Sequence, residues 1–156
     1  MFRIEQLYLS PGHNYFGHHA QQAGEHPIFA VQGLDCVAGR GVRGDRFFDY
    51  KPDYKGQVTF FAAEIYDELC TTLLPLAGAH PEPSAFRRNV ITRGVDLNTL
   101  IGQTFTLQGV TFLGTSECSP CYWMDQAFAP GAEAALKGRG GLRAKILTDG
   151  WLRLVN

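Results

Sequence analysis

Cys118 and Cys121 stand three residues apart in Cys118-Ser119-Pro120-Cys121, the sharpest chemical motif of the chain. Thiols at this spacing can share a disulfide, hold one metal ion, or divide the roles of nucleophile and resolving thiol. A thioredoxin-like site expects the pair between an early strand and a helix, whereas this one follows a late hairpin pattern. A structural zinc needs two more ligands. The other cysteines, Cys36 and Cys70, are isolated, and Cys70 falls on the apolar face of a helical pattern. The motif therefore reads best as carrying one functional thiolate.

Arginine outnumbers lysine ten to four, and eight of the ten arginines lie in three short glycine-containing segments. These hold Arg40, Arg43 and Arg46; Arg87, Arg88 and Arg93; and Arg139 and Arg143. Guanidinium forks suit bidentate binding of phosphate or carboxylate, and glycine loops add backbone donors. The competing reading is internal pairing, such as Arg43 or Arg46 with Asp45 or Asp49. RNA is a further alternative, because Phe47, Phe48 and Tyr50 could stack bases, although Asp45, Asp49 and Asp53 in the same stretch oppose it. His13, His18 and His19 crowd seven residues of a turn-rich loop, where capping of backbone groups competes with metal binding or proton transfer. Phosphate-loop, dinucleotide-fingerprint, nucleophile-elbow and zincin motifs are absent.

These residues need elements to hold them. Phe2 to Leu9 reads as an opening strand, and Val31 to Val37 as a second. Val58-Thr59-Phe60-Phe61 leads into a helix whose apolar face carries Ile65, Tyr66, Leu69, Cys70 and Leu73 and which stops before Pro75. Asn89 to Thr92 is a short strand, and Asp96 caps a brief turn. Thr104 to Gln108 and Val110 to Gly114 flank Gly109 as a hairpin. Ala132 to Lys137 reads as a short helix. Leu142 to Leu147 and Trp151 to Val155 alternate around Asp149-Gly150, a pattern that predicts a second hairpin. Strands outnumber helices, which favours a mainly β (α+β), mostly antiparallel barrel with flanking helices over a doubly wound sheet.

The chain has 156 residues, 45% of them hydrophobic and 19% charged, with a net charge of −1. One domain over residues 1–156 is the default at this length. The balance excludes a disordered chain and a basic nucleic-acid coat. No apolar run is long enough to span a bilayer, and the acid at Glu5 disfavours a secretory leader. The expectation is a cytoplasmic protein with reduced thiols, without nucleic-acid or membrane partners.

Five stretches, taken in order, resemble the MOSC family, named for the C-terminal domain of molybdenum cofactor sulfurase. They are Gly41-Val42-Arg43-Gly44-Asp45-Arg46, Tyr54 to Phe61, Arg87-Arg88-Asn89-Val90-Ile91-Thr92, Gly114 to Cys121, and Gly138-Arg139-Gly140-Gly141-Leu142-Arg143. The resemblance implies a strand-rich, barrel-like domain and a functional cysteine, which maps to Cys121 after Pro120, with Cys118 at a less constant position. In related amidoxime-reducing proteins that cysteine ligates molybdenum in a molybdopterin cofactor. The implied cofactor is thus molybdenum–molybdopterin, with Cys121 as the metal ligand and Arg43, Asp45, Arg46, Arg87, Arg88, Asn89, Arg139 and Arg143 as candidates to hold it. In sulfurases the domain sits beside a pyridoxal-phosphate domain, for which this chain has no room, so desulfurase chemistry is not expected. If the protein is an enzyme, the implied reaction is reduction of N-hydroxylated compounds. Its electrons would come from an external donor, since no flavin or iron–sulfur motif is present. The alternatives are a sulfur carrier that takes a Cys121 persulfide from a donor protein, and a cofactor-free module for a small anion.

Overall fold

Val58–Ala62 (β5) is buried along its whole length. Its alternate side chains feed two separate cores, as a period of two requires. Val58, Phe60 and Ala62 enter one hydrophobic cluster, while Phe61 enters the other. A strand covered on both faces must lie inside a sheet, and in the computed structural model β5 is the central strand of seven. The structure describes residues 2–14, 21–74 and 81–155.

The other strands are Arg3–Leu9 (β1), Phe29–Ala30 (β2), Gly33–Val37 (β3), Gly41–Val42 (β4), Val90–Arg93 (β6), Thr104–Leu107 (β7), Val110–Glu117 (β8), Leu142–Ile146 (β9) and Gly150–Arg153 (β10). The large sheet runs β2-β1-β6-β5-β9-β8-β7, and β10-β3-β4 form a second, three-stranded sheet. Among the described residues no pairing closes the large sheet on itself, so the expected barrel is instead two sheets over one core. Leu34, Cys36, Val42 and Leu152 of the small sheet join Leu7, Phe60, Phe112 and Ile146 of the large one. The Phe60 and Phe112 rings meet edge to face at 5.4 Å. Burial of each such ring contributes roughly 1.5–3 kcal/mol.

The helices cover the opposite face of the large sheet. Ala63–Thr72 (α1), Trp123–Ala127 (α2), Ala132–Ala135 (α3) and the 3₁₀ turn Pro83–Phe86 supply the second cluster. Its centre is Phe86, tilted against Phe61 at 4.6 Å and stacked on Phe128 at 4.9 Å. β5 and β6 are parallel neighbours. Such a pair needs a crossover, which α1 provides.

The β7–β8 hairpin turns at Gln108 and Gly109, both at positive φ, with Leu107 opposite Val110. That is the primed two-residue turn which a right-twisted hairpin favours. The Gln108 side-chain amide reaches the second sheet, donating to the Arg153 carbonyl at 2.8 Å and accepting from its N–H at 2.7 Å. The hairpin expected at Asp149-Gly150 does not form. β9 pairs with β5 and β8, whereas β10 leaves the large sheet and pairs with β3, Gly150 opposite Cys36. Neither residue has positive φ, and the Asp149 carboxylate accepts the Ala38 N–H at 2.7 Å. A long-range acceptor replaces the local turn.

Candidate functional site

β8 ends at Glu117, and the chain then passes through Cys118 to Cys121 under tight constraint. The Cys118 N–H donates to the Gly141 carbonyl at 2.8 Å, and the Gly140 N–H donates to the Glu117 carboxylate at 3.1 Å. The two segments lie so close that a Cβ on Gly140 would sit 2.1 Å from the Cys118 carbonyl oxygen. Gly141 has φ +116, and its Cβ would meet the Phe60 carbonyl oxygen at 2.4 Å. Glycine is required at both positions by backbone on the far side, not by freedom alone. Beyond the motif, the Cys121 carbonyl accepts from Met124 at 3.0 Å, which starts α2.

Cys118 is buried and Cys121 half-buried, and all four thiols are free. Cys36 is fully enclosed, and burial pushes its thiol up to about 12, with Asp35 adding to the shift. Cys70 is half-buried on α1 beside Tyr66, whose phenol is raised by burial and by its hydrogen bond to Cys70. Because thiolate is the nucleophile, Cys36 is expected to resist iodoacetamide at pH 8 while Cys121 labels at least tenfold faster. Peptide mapping after brief alkylation of the native protein checks this. Equal labelling would mean that the core around Cys36 opens readily.

The eight arginines of the three glycine-containing segments divide into three groups. Arg40, Arg43, Arg93 and Arg139 are committed at the surface, to Asp49, Asp35, Glu5 with Asp67, and Glu68 respectively. Arg40 and Arg43 also lie over the Phe48 ring. Neither Arg43 nor Arg139 lines the cavity that holds Cys121, described below. Arg87 and Arg88 are buried and the Arg46 side chain nearly so, and all three are held by internal partners. Arg46 reaches the Arg87 carbonyl at 2.8 Å and Asp45 at 3.3 Å. Burial pulls its guanidinium below the ordinary range; Asp45 opposes the shift and Arg88 adds to it. Arg87 donates to the Ser10 hydroxyl at 2.5 Å and the Gly12 carbonyl at 2.7 Å. Arg88 donates to the carbonyls of Phe86 at 2.7 Å, Gly140 at 3.0 Å and Cys118 at 3.5 Å, with no carboxylate in contact among the described residues. It thereby clamps the cysteine loop to the glycine loop. Arg143 is alone in the third group: among the described residues its guanidinium makes no hydrogen bond or ion pair.

Asp45 and Asn89 are internal fasteners. The Asp45 carboxylate accepts from the Ser10 N–H at 3.1 Å, and Asn89 joins Thr59, the Tyr8 carbonyl and Asp45. Neither lines the cavity described next.

One cavity of about 310 Å³ gathers Cys118, Cys121, Arg46, Arg87, Arg88 and Arg143. Among the described residues, four arginines and no carboxylate line it. Its walls are residues that sequence reasoning did not assign to the site: Tyr54, Trp123, Phe86 and Thr59. Phe47 stacks on Tyr54 at 5.4 Å, and His13 meets the Phe47 edge at 4.9 Å. Burial pushes the Tyr54 phenol up, and the charge of Arg143, which lines the same cavity, opposes that shift. The signal available in sequence was the aromatic stretch after Arg46, of which Phe47, Phe48 and Tyr50 were read above as base-stacking residues and Tyr54 was given no role. His18 and His19 lie outside the described residues. Among the described residues no cluster of three His, Cys, Asp or Glu could hold a metal, so a metal here would depend on a cofactor's own donors together with a cysteine. No helix among them is long and apolar enough to cross a membrane.

Solved structures of other proteins share this fold. The structure is similar to that of the YuaD protein from Bacillus subtilis, with a TM-score of 0.73, 18% identity, and coverage of 98% of this chain and 92% of that one. YiiM from Geobacillus stearothermophilus aligns with a TM-score of 0.67 at 11% identity, over 98% of this chain and 71% of that one. YiiM from Escherichia coli aligns at 0.63 and 18%, over 80% of this chain and 60% of its own length. No curated protein matches the sequence. The MOSC domain family model matches residues 38–154, a span that holds both cysteines of the motif and every arginine of the cavity, and the chain belongs to the MOSC domain family.

Proposed function

We propose that the Cys121 cavity binds a molybdenum–molybdopterin cofactor, with the Cys121 thiolate as a metal ligand, and that the protein reduces N-hydroxylated compounds with electrons from a separate redox protein. The observation that carries this reading is the joint presence in one cavity of a half-buried thiol and a guanidinium that, among the described residues, has no partner, with no carboxylate among the described lining.

The residues fit such a group in three respects. A soft thiolate suits molybdenum. Arg143 is available for a bidentate contact with a phosphate, while the charges of Arg46, Arg87 and Arg88 stand behind it without leaving their own partners. The flat walls of Tyr54 and Trp123 suit a planar heterocycle. The cavity lies at the lower end of the usual ligand-pocket range of roughly 300–1,000 Å³. When bound, the cofactor would supply a metal centre able to pass two electrons to an N–O bond. The chain would hold the cofactor by sulfur at one end and by Arg143 at the other, and its aromatic walls would exclude bulk water. Arg88 would keep the cysteine loop in place.

Metal and pterin analysis of protein made in a host that synthesises the cofactor tests the reading. Molybdenum is expected in the wild type, lost in Cys121→Ser because oxygen is the poorer soft-metal ligand, and only weakened in Cys118→Ser. Arg143→Ala should weaken cofactor affinity tenfold or more, from a contact of ~1.5–3 kcal/mol. Equal molybdenum per folded protein in wild type and Cys121→Ser overturns the assignment. A dithiothreitol-labile gain of about 32 Da on Cys121, without molybdenum, would replace it with sulfur carriage.

A further inference from the structure

Tyr54 brings more than a flat wall to the thiol cavity. The residue is only 6% exposed and lines that cavity, yet among the described residues its hydroxyl makes no hydrogen bond. Its ring is fixed by three neighbours. Phe47 stacks on it at 5.4 Å, Tyr50 tilts against it at 4.7 Å, and the Lys51 ammonium lies 5.4 Å from the ring centre. Gly56 locates the hydroxyl end. A Cβ there would lie 3.4 Å from the Tyr54 Cζ and 3.5 Å from the Arg143 Cδ. The carbon that bears the hydroxyl and the root of the Arg143 guanidinium therefore approach one point, no farther apart than those two distances together. Arg143 is likewise without a partner among the described residues.

We infer that the Tyr54 hydroxyl and the Arg143 guanidinium form one clamp for a tetrahedral oxyanion, a phosphate or phosphate monoester. The inference rests on the reading of this cavity as an anion site, and adds to it a second donor and the shape of the group it takes. Burial pushes the phenol up, so it keeps its proton through the neutral range and can donate. A guanidinium fork engages two oxygens of its ligand. A tetrahedral anion offers a third oxygen to the phenol, which a carboxylate lacks. Arg46, Arg87 and Arg88 also line the cavity, and their charges favour an anion although other partners hold them. A ring already fixed by its neighbours loses little freedom when the ligand arrives.

Two sources can supply such a group: the phosphate of a pterin cofactor, or a phosphorylated substrate that enters the same cavity. The donors recognise one chemistry in both. The sources differ in whether the clamp is already filled once the cofactor is bound, which makes them separable by competition.

Inorganic phosphate is the probe, at neutral pH and constant ionic strength, on the full chain made in a host that lacks the cofactor. Amide and tyrosine-ring NMR is expected to show saturable shifts at Gly56, Cys121 and Arg143 and on the Tyr54 ring. A dissociation constant of ~1 mM is reasonable for so few atoms. Tyr54→Phe keeps the ring stack and should raise that constant about tenfold, through loss of one hydrogen bond to a charged group, with the thermal midpoint unchanged. Arg143→Ala should raise it by at least as much. On molybdenum-loaded protein, loss of phosphate binding assigns the clamp to the cofactor, and retained binding assigns it to a substrate. An unaltered constant in Tyr54→Phe, acetate or chloride binding as tightly as phosphate, shifts confined to another part of the surface, or no saturation by about 20 mM would each overturn the clamp. Any of these in a protein that still holds molybdenum through Cys121 would leave the cofactor reading standing, whereas an intact clamp in a protein that never takes molybdenum would overturn that reading alone.

Discussion

Gly140→Ala is expected to disable the thiol site and to destabilise the fold by about 3 kcal/mol, the upper part of the usual range for overpacking. The added methyl would sit 2.1 Å from the Cys118 carbonyl oxygen and 3.0 Å from the Pro120 Cδ. Both obstacles belong to the cysteine loop, one of them backbone, so relief requires that loop to move. The movement costs the Cys118–Gly141 hydrogen bond and the Arg88 clamp together. At this chain length such a loss lowers the melting midpoint by roughly 6–12 °C. Thermal unfolding and the Cys121 alkylation rate provide the check. A variant with wild-type midpoint and wild-type reactivity would show that the two loops are not in contact.

Arg88→Met is expected to cost roughly 2–4 kcal/mol, while Arg143→Ala should leave stability within about 0.5 kcal/mol of wild type. Two effects oppose each other at Arg88. Removal of a buried cation that has no carboxylate partner relieves a desolvation cost. It also strips the carbonyls of Phe86, Gly140 and Cys118 of a shared donor, and each buried acceptor left unpaired costs about 1–3 kcal/mol. Three acceptors outweigh one charge. Arg143 has no such partners to abandon, so its loss should register in ligand affinity alone. Urea unfolding of both variants at constant slope measures the contrast. Arg143→Ala proving the more damaging of the two would invert the roles assigned to them.

Much of this was legible in the residues, and what was not has a common cause. The apolar run Val58 to Phe61, the helix after it and the turn at Gln108-Gly109 depend on neighbours within a few residues, and periodicity reports such neighbours directly. Asp149-Gly150 carries an equally strong local signal, yet the partner of Gly150 is Cys36, far back in the chain. Pairings of that separation leave no trace in spacing, which is also why a barrel was expected where two sheets lie over one core. The arginines follow the same rule. Their type and clustering marked an anion site, but which guanidinium stays available is decided by distant acceptors, such as Ser10 for Arg87 and Gly140 for Arg88. Glu68 and Asp35 likewise withdraw Arg139 and Arg43 from the site.

The pairing of β10 with β3 also sets the order in which the molecule can assemble. β3 ends at Val37 and β10 begins at Gly150, so more than a hundred residues must be synthesised between the two halves of the small sheet. Until then only the two-residue strand β4 pairs with β3, and the face formed by Leu7, Phe60, Phe112 and Ile146 lacks part of its cover. At about 5–20 residues per second, the Leu7 and Phe60 part of that face waits several seconds for β10, whereas Phe112 and Ile146 join it only later. Long-range strand pairing is slow for the same entropic reason. The last strand acts as the closing step of folding, and the protein is most exposed to aggregation just before it arrives.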